Sequence, residues 1–286
     1  MSFSLAKIPG ATHTHSPMKV AVTGATGFLG SHVARELAAA GHSVVGLDKK
    51  PGPGVRRIDL LDHARVEAAL EGAEAVVHLG NHTNSRGPTQ HRVLRENVAM
   101  NFSVFEAARA AGARLLVFAS SIQVTRSARQ LNDPLARSGL PWLPLDGNLP
   151  PSPSNAYGLS KQIGEEMLRY YVRNAGMTAV ALRYPYLLQA PPPATGLAMK
   201  NAFVDEAFTW LSYADGARLV RAVLAAPLQG LHVFFPAAAR PLNGETAETL
   251  RQRHYADVLL KAPAPLASLV DCSAIRDATG WTAHDL

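Results

Sequence analysis

Three glycines within one short stretch, Gly24, Gly27 and Gly30 of VTGATGFLG, separate a β-branched run, KVAVT, from an apolar helical stretch, FLGSHVARELAAAG. That order constrains the fold more than any other feature of the chain. Gly24 permits a tight turn after the strand, Gly27 lets backbone approach a pyrophosphate, and Gly30 allows close packing of helix on strand. The helix N-terminus then offers unpaired N–H groups and partial positive charge to phosphates. The next strand-like run, HSVVGLD, ends on Asp48, where a carboxylate can accept hydrogen bonds from ribose hydroxyls and repel a 2′-phosphate. Strand, glycine loop, helix, strand and acid together predict dinucleotide binding and favour NAD. Lys49 and Lys50, beside the acid, keep NADP as the alternative.

Strand-like and helix-like segments go on alternating. HARVEAALEGA predicts a helix and EAVVHL a strand; VLRENVAMNFSVFEAARAAGA predicts a long helix with Val98, Phe102 and Phe105 turned inward. RLLVFAS, TAVALRY and GLHVFF predict further strands, and YADGARLVRAVLAA a further helix. The alternation predicts an α/β fold, a doubly wound parallel sheet with helices on both faces. Continuous apolar runs such as RLLVF suit strands buried on both sides. The Pro-rich passage 133–153 is expected as a surface loop over the active edge of the sheet. Regularity fails after Tyr184, where prolines gather in QAPPPATG. The expected division is a disordered extension over 1–17, a dinucleotide-binding domain over 18–183 and 211–235, and a small C-terminal substrate-binding region over 184–210 and 236–286.

The chain has 286 residues, 47% hydrophobic and 17% charged, which fits a soluble globular protein. The net charge of +6 does not predict a nucleic-acid partner, because basic residues never run beyond pairs and aromatic residues do not interleave with them. A mildly positive field instead suits a phosphorylated cofactor or an anionic substrate. The single cysteine, Cys272, excludes an intramolecular disulfide and predicts a reducing, cytoplasmic setting. No apolar run approaches the ~20 residues of a membrane span. His13 and His15 fall in the extension, and His78 and His82 lie in strand and loop context with no common face, so no metal site is expected.

Tyr157 and Lys161 stand four apart in NAYGLSKQIGEEML and share one face of a predicted helix. An ammonium beside a phenol favours the phenolate, which makes the pair a candidate proton-transfer device. Gly164 in the same helix costs stability relative to alanine, which close packing on a neighbouring helix would explain.

Taken in order, these motifs resemble the extended short-chain dehydrogenase/reductase family, which includes nucleotide-sugar epimerases, dehydratases and sugar dehydrogenases. The resemblance runs from Met18 to about Pro236. TGATGFLG resembles the cofactor loop and implies cofactor contacts from Gly24, Thr26, Gly27, Phe28, Leu29 and Gly30. Asp59 and Leu60 sit where a family aspartate meets adenine, and VVHLG places Leu79 and Gly80 beside adenosine and ribose. Asn97 lies where the family keeps an asparagine. FASSIQV resembles the strand carrying a catalytic serine, here Ser121, with Ser120 facing the cofactor. YGLSK resembles the tyrosine–lysine motif, and Tyr184 is expected near the cofactor. The resemblance implies a Rossmann fold and an NAD-dependent oxidoreductase acting on a sugar-like hydroxyl or carbonyl. Tyr157 would be its acid/base, Lys161 its helper and holder of the nicotinamide ribose, and Ser121 the partner of the substrate oxygen. The alternatives are a C4-type nucleotide-sugar epimerase that retains NAD, and a non-catalytic NAD(P)-binding sensor. A homodimer through a two-helix contact is implied as well.

Departures from the family narrow the choice. Ile122 and Gln123 replace the Asp-Glu pair of dehydratases, and neither can act as acid or base. After LRY, the run Pro185-Tyr186-Leu187-Leu188 lacks the asparagine of many nucleotide-sugar enzymes. Chain size and the stretch Trp210-x-Ser212-x-x-Asp215 look more like compact sugar and uronate dehydrogenases. The arginine that uronate enzymes use for the substrate carboxylate would fall near Asp205, and an aspartate repels a carboxylate. This implies a neutral sugar or polyol, or an acid-binding group elsewhere, such as Arg86 or Arg183. The run GETAETLRQRHYADVLLK is expected as a charged amphipathic helix with a solvated outer face.

Overall fold

The computed structural model describes residues 16–83, 89–125, 139–197 and 201–284. His13, His15, Arg86 and nearly all of the expected N-terminal extension lie outside them. KVAVT forms β1 (Lys19–Thr23), and the glycine loop leads into α1 (Phe28–Ala39) and β2 (Ser43–Asp48). There follow β3 (Val55–Arg57), α2 (His63–Leu70), β4 (Ala75–His78), α3 (Gln90–Ala110) and β5 (Leu115–Ser121), which ends in a 3₁₀ turn at Ile122–Val124. After β6 (Trp142–Leu143) come α4 (Ala156–Ala175), β7 (Thr178–Tyr184) and β8 (Tyr186–Leu188). A 3₁₀ turn at Asn201–Glu206 precedes β9 (Trp210–Ser212), α5 (Tyr213–Ala225) and β10 (Leu231–Phe234). The chain closes with α6 (Ala247–His254), β11 (Leu259–Leu260) and α7 (Ser273–Thr279).

Seven strands form one parallel sheet in the order β10-β7-β5-β4-β1-β2-β3. The chain builds outward from β1 to β3, then returns to β4 and builds the other way. Such a reversal opens a crevice at the carboxyl ends of the central strands, where ligands bind in sheets of this kind. Strand alternation divides the core. Ala21, Val76, Leu116 and Phe118 meet Val66, Phe105 and Leu168 of α2, α3 and α4. Val20, Val22, Val77 and Val117 meet Val33, Leu37, Val220 and Val223 of α1 and α5. A third cluster, including Leu143, Leu145, Phe208, Trp210, Phe235, Leu250 and Tyr255, gathers the later segments.

Three expectations are corrected here. Phe102 is 52% exposed, not inward. In the 21-residue α3 the buried line runs through Asn97, Met100, Asn101, Val104, Phe105 and Ala108, and Phe102 falls off that face. The described part of the Pro-rich passage, 139–153, is not a surface loop. Leu140, Leu143, Leu145 and Leu149 are buried, β6 pairs with β11, and the Leu145 N–H donates to the Leu269 carbonyl at 2.8 Å. The charged C-terminal run gives only the eight-residue α6, since the backbone leaves the helix at Tyr255 to reach β11.

Candidate active site

A cavity of about 870 Å³ opens at the carboxyl ends of β1, β4 and β5 and runs from the glycine loop to Tyr157. At the loop, packing leaves no room for side chains. A Cβ on Gly24 would stand 2.9 Å from the Gly80 nitrogen, and one on Gly30 only 2.0 Å from the Gly24 carbonyl oxygen. Gly27 caps α1 without a side-chain hydrogen bond, and no acid lies in the first turn. The first N–H groups of α1 are therefore not covered by a capping side chain, which suits a pyrophosphate.

Asp48, at the end of β2, is held in place. Its Oδ2 accepts from the Thr26 N–H (3.1 Å) and Thr26 Oγ1 (2.8 Å), and Oδ1 from the Lys50 N–H (3.1 Å). A carboxylate offers about four acceptor sites, so capacity remains for ribose hydroxyls. Lys49 turns instead to Asp59, at 3.1 Å. Leu60, Leu79, Gly80, Phe28, Leu29 and Tyr184 line the same cavity, whereas Asp59 does not. The Tyr184 hydroxyl donates to the Gly216 carbonyl at 3.2 Å, and burial raises its pKa. These features fit an adenine dinucleotide in the orientation that the glycine loop predicts.

At the other end, α4 is fastened to the tip of β5. Asn155 caps it by accepting from the Gly158 N–H (2.8 Å) and donates to Gln123 Oε1 (2.9 Å). Gly158 is required there, because a Cβ would fall 2.3 Å from the Gln123 carbonyl oxygen. Gly164 gives way to the Phe118 ring, 2.6 Å from its would-be Cβ, with Asn101 of α3 at 3.0 Å. Tyr157 is thereby brought near Ser121, close enough for the serine hydroxyl to act on its phenol. Lys161, one turn on, is buried; its Nζ donates to Asn81 Oδ1 (2.6 Å) and the Ala119 carbonyl (2.7 Å) and lies 5.5 Å from the Tyr157 ring centre.

Burial dominates the electrostatics. It pushes the Tyr157 phenol up to about 12, against the influence of the nearby Ser121 hydroxyl and with help from the charge of Glu206. Burial likewise pulls the Lys161 ammonium down to about 7. The expected lowering of the phenol by the lysine is therefore not what this arrangement gives. The ammonium is directed at Asn81 and Ala119, and desolvation outweighs it.

Several expected site residues take other roles. Asn97 is fully buried and does not line the cavity. Its amide accepts from the His82 N–H (2.8 Å) and donates to the His82 carbonyl (3.1 Å) and Ser160 Oγ (3.1 Å), so it positions the cavity wall. Ser120 lines the cavity, but its hydroxyl proton is turned away from it. It donates to Glu165 at 2.5 Å, and Glu165 is paired with Arg183 beneath the site. Arg183 is thus committed and cannot serve a substrate carboxylate. Asp205 is buried without lining the cavity; its neighbour Glu206 does line it. The Trp210-x-Ser212-x-x-Asp215 stretch starts a helix. Ser212 accepts from the Asp215 N–H at 3.0 Å, and Asp215 pairs with Arg218. Sequence analysis missed Asn81, His82, Gln123, Tyr186, Glu206 and Tyr213 as cavity residues. Asn81 and His82 directly follow VVHLG, a signal that could have found them; Glu206 had none.

His78, at the end of β4, sits behind this site. Thr23 Oγ1 accepts from the N–H groups of Leu79 (3.2 Å) and Gly80 (3.1 Å), so its own proton goes to His78 Nδ1 at 2.7 Å. His78 Nε2 then donates to Asn101 Oδ1 at 3.0 Å. Burial, followed by the charge of Lys161, lowers its pKa to about 3 and keeps it neutral. His82 Nε2 meets Glu96 at 2.6 Å, and Arg92 with His82 lowers the Glu96 carboxyl to about 2. Among the described residues no three metal-ligating side chains converge.

Known proteins resemble this chain in sequence and in fold. The family model described as "NAD dependent epimerase/dehydratase family" matches residues 20–189. A uronate dehydrogenase of Pseudomonas syringae pv. tomato is 30% identical over 230 residues, covering 78% of this chain and 75% of the relative. An L-arabinose 1-dehydrogenase (NAD(P)(+)) of Haloferax volcanii is 32% identical over 179 residues, covering 60% and 68%. The crystal structure of a uronate dehydrogenase variant from Agrobacterium tumefaciens complexed with NAD superposes with a TM-score of 0.65 at 26% identity, covering 94% of this chain and 86% of that one.

Proposed function

The chain belongs to the NAD-dependent epimerase/dehydratase family, of the extended short-chain dehydrogenase/reductase type, and from that membership we propose that it oxidises a hydroxyl of a sugar-like substrate with NAD. One observation carries this. Tyr157, with Ser121 and Lys161 beside it, stands at one end of a cavity whose other end is the glycine loop and Asp48. The glycine loop with the start of α1 would hold the pyrophosphate, Asp48 the adenosine ribose and Lys161 the nicotinamide ribose. NAD, when bound, supplies the hydride acceptor.

Ser121 and Tyr157 hold the substrate oxygen between two hydroxyls. As the C–H bond breaks, Tyr157 in its phenolate form would take the hydroxyl proton and become the phenol; in the reverse direction the phenol would return it. Phenolate and ammonium are each costly alone in this buried setting. Formed together, each offsets the desolvation of the other, which is why lysine stands beside tyrosine.

The segments 184–210 and 236–286 are proposed as the substrate-binding region, supported by Tyr186, Leu187 and Glu206 in the cavity wall. No helix among the described residues is long and apolar enough to cross a membrane, and the single cysteine supports a cytoplasmic setting. Phe102, Leu159 and Tyr170, exposed on α3 and α4, support a homodimer through these helices. Sedimentation equilibrium should give twice the chain mass; a monomer at micromolar concentration refutes that part.

NADH formation with aldoses, uronates and polyols tests the activity. Tyr157→Phe should leave NAD affinity within a few-fold while removing turnover, and an equally active mutant contradicts the assignment. Conversion of a nucleotide sugar without net NADH would identify the epimerase instead.

A further inference from the structure

One amide of the loop after β4 is set against the Lys161 ammonium. Asn81 Oδ1 accepts from Lys161 Nζ at 2.6 Å, and the Ala119 carbonyl accepts from the same nitrogen at 2.7 Å. The orientation of the amide follows from its partners. An ammonium can only donate, and the Gly80 carbonyl, which takes the Asn81 Nδ2 hydrogen bond at 3.0 Å, can only accept. The backbone is clamped on both sides of Asn81. Gly80 donates its N–H to Thr23 Oγ1 of β1 at 3.1 Å. His82 donates its N–H to Asn97 Oδ1 of α3 (2.8 Å), and its carbonyl accepts from Asn97 Nδ2 (3.1 Å). The Asn81 N–H itself donates to the Leu79 carbonyl at 3.1 Å. Asn81 therefore reaches the lysine from a fixed stretch of the cavity wall.

We infer that Asn81 is a positioning residue for the acid/base step, its uncharged amide oxygen holding the Lys161 ammonium beside Tyr157 without cancelling its charge. The inference rests on the sugar-oxidising activity proposed above. Asn81 and Ala119 take the ammonium from two separate elements, which pins Nζ 5.5 Å from the Tyr157 ring centre. A hydrogen bond to a charged group is stronger than one between neutral groups. Here it offsets part of the desolvation that pulls the ammonium down to about 7. A carboxylate in the same place would grip the lysine harder but would spend its positive field. The phenolate would then lose the charge that favours it. The other titratable groups around the pair are engaged elsewhere. Glu165, one turn further along α4, is paired with Arg183 of β7, and His82 with Glu96 of α3. His78 of β4 is kept neutral by burial and by the Lys161 charge, and Glu206 bears on the Tyr157 phenol.

The test follows Lys161 itself, by NMR titration of the full chain with isotope-labelled lysine and a Lys161→Met variant to assign the signal. In the wild type the signal should titrate near neutral pH. Asn81→Leu, similar in size but without an acceptor, should move the midpoint down by about one pH unit or more, roughly a tenfold loss of proton affinity. Asn81→Asp should move it up, and it serves as the second variant if the leucine protein does not fold. In both variants kcat for sugar oxidation at neutral pH should fall about tenfold and its alkaline rise should move to higher pH, with the sugar KM within a few-fold. Midpoints that move apart while the rates move together are not the mark of a merely structural asparagine. An unchanged midpoint in Asn81→Leu, or an Asn81→Asp variant as active as the wild type, overturns the inference and leaves the dehydrogenase assignment standing. Midpoints that move as stated, without NADH from any sugar, overturn the dehydrogenase assignment and support the placement of Lys161 by Asn81.

Discussion

Arg183 of β7 and Glu165 of α4 form a two-point ion pair beneath the tyrosine–lysine helix, Nε to Oε1 at 2.9 Å and Nη2 to Oε2 at 2.8 Å. Both side chains are essentially removed from solvent, at 3% and 2% exposure. The Arg183 guanidinium also donates to the Leu149 carbonyl at 2.7 Å, and Glu165 accepts from Ser120. One pair thus ties α4, β5, β7 and the 147–149 segment together. Glu165→Ala leaves a buried guanidinium uncompensated and should destabilise the protein by about 3–5 kcal/mol. Urea denaturation checks this, and a loss below about 1 kcal/mol would show that the pair is dispensable.

The acid/base pair sets a pH dependence of turnover. Oxidation needs Tyr157 to accept a proton, and its pKa stands above the ordinary value at about 12. kcat/KM for oxidation should therefore rise from neutral into alkaline pH, while the reverse reduction, which needs the protonated phenol, should stay level over the same range. Glu206 contributes to the raised phenol, so Glu206→Gln should bring the rise to lower pH. Rate profiles from pH 6 to 10 (a range of about 4 units) decide it; a flat profile in both directions would remove proton transfer from the rate.

His78 makes a separate prediction about stability. Its folded pKa, about 3, lies below the ordinary histidine value of 6.5, so the unfolded chain takes up the proton first. The stability present above pH 6.5 is lost as the pH falls towards 3, with a slope approaching about 1.4 kcal/mol per pH unit from this one group. Chemical denaturation across that range should show the slope, and His78→Gln should flatten it. Equal slopes in the two proteins would mean that other groups carry the acid sensitivity.

Features written locally were legible in the sequence. The glycine loop, Asp48, and Tyr157 with Lys161 at helical spacing each sit within a few residues of what makes them recognisable. What could not be seen depends on partners distant in the chain. Trp142 and Leu143 look like loop residues until Leu259 and Leu260 pair with them. Phe102 looks like core because it is apolar, but the face of α3 is chosen by α4 and the sheet. Arg183 and Ser120 look like ligand contacts because they end strands at the site, yet Glu165 claims both. Asn97 was found in the right neighbourhood, but its amide is engaged by the backbone of His82. Glu206 belongs to no local pattern, and only the bend at Ala207 and Phe208 delivers it to the cavity.

That bend has an evolutionary consequence. A left-handed alanine costs on the order of 1–3 kcal/mol, so a change to glycine at Ala207 relaxes the chain while loosening the placement of Glu206, whereas at Phe208 the same change would also remove a buried ring. Selection for a tougher protein and selection for a firmly shaped cavity wall therefore pull Ala207 in opposite directions. A lineage that drifted towards robustness here would soften that wall while keeping its core intact.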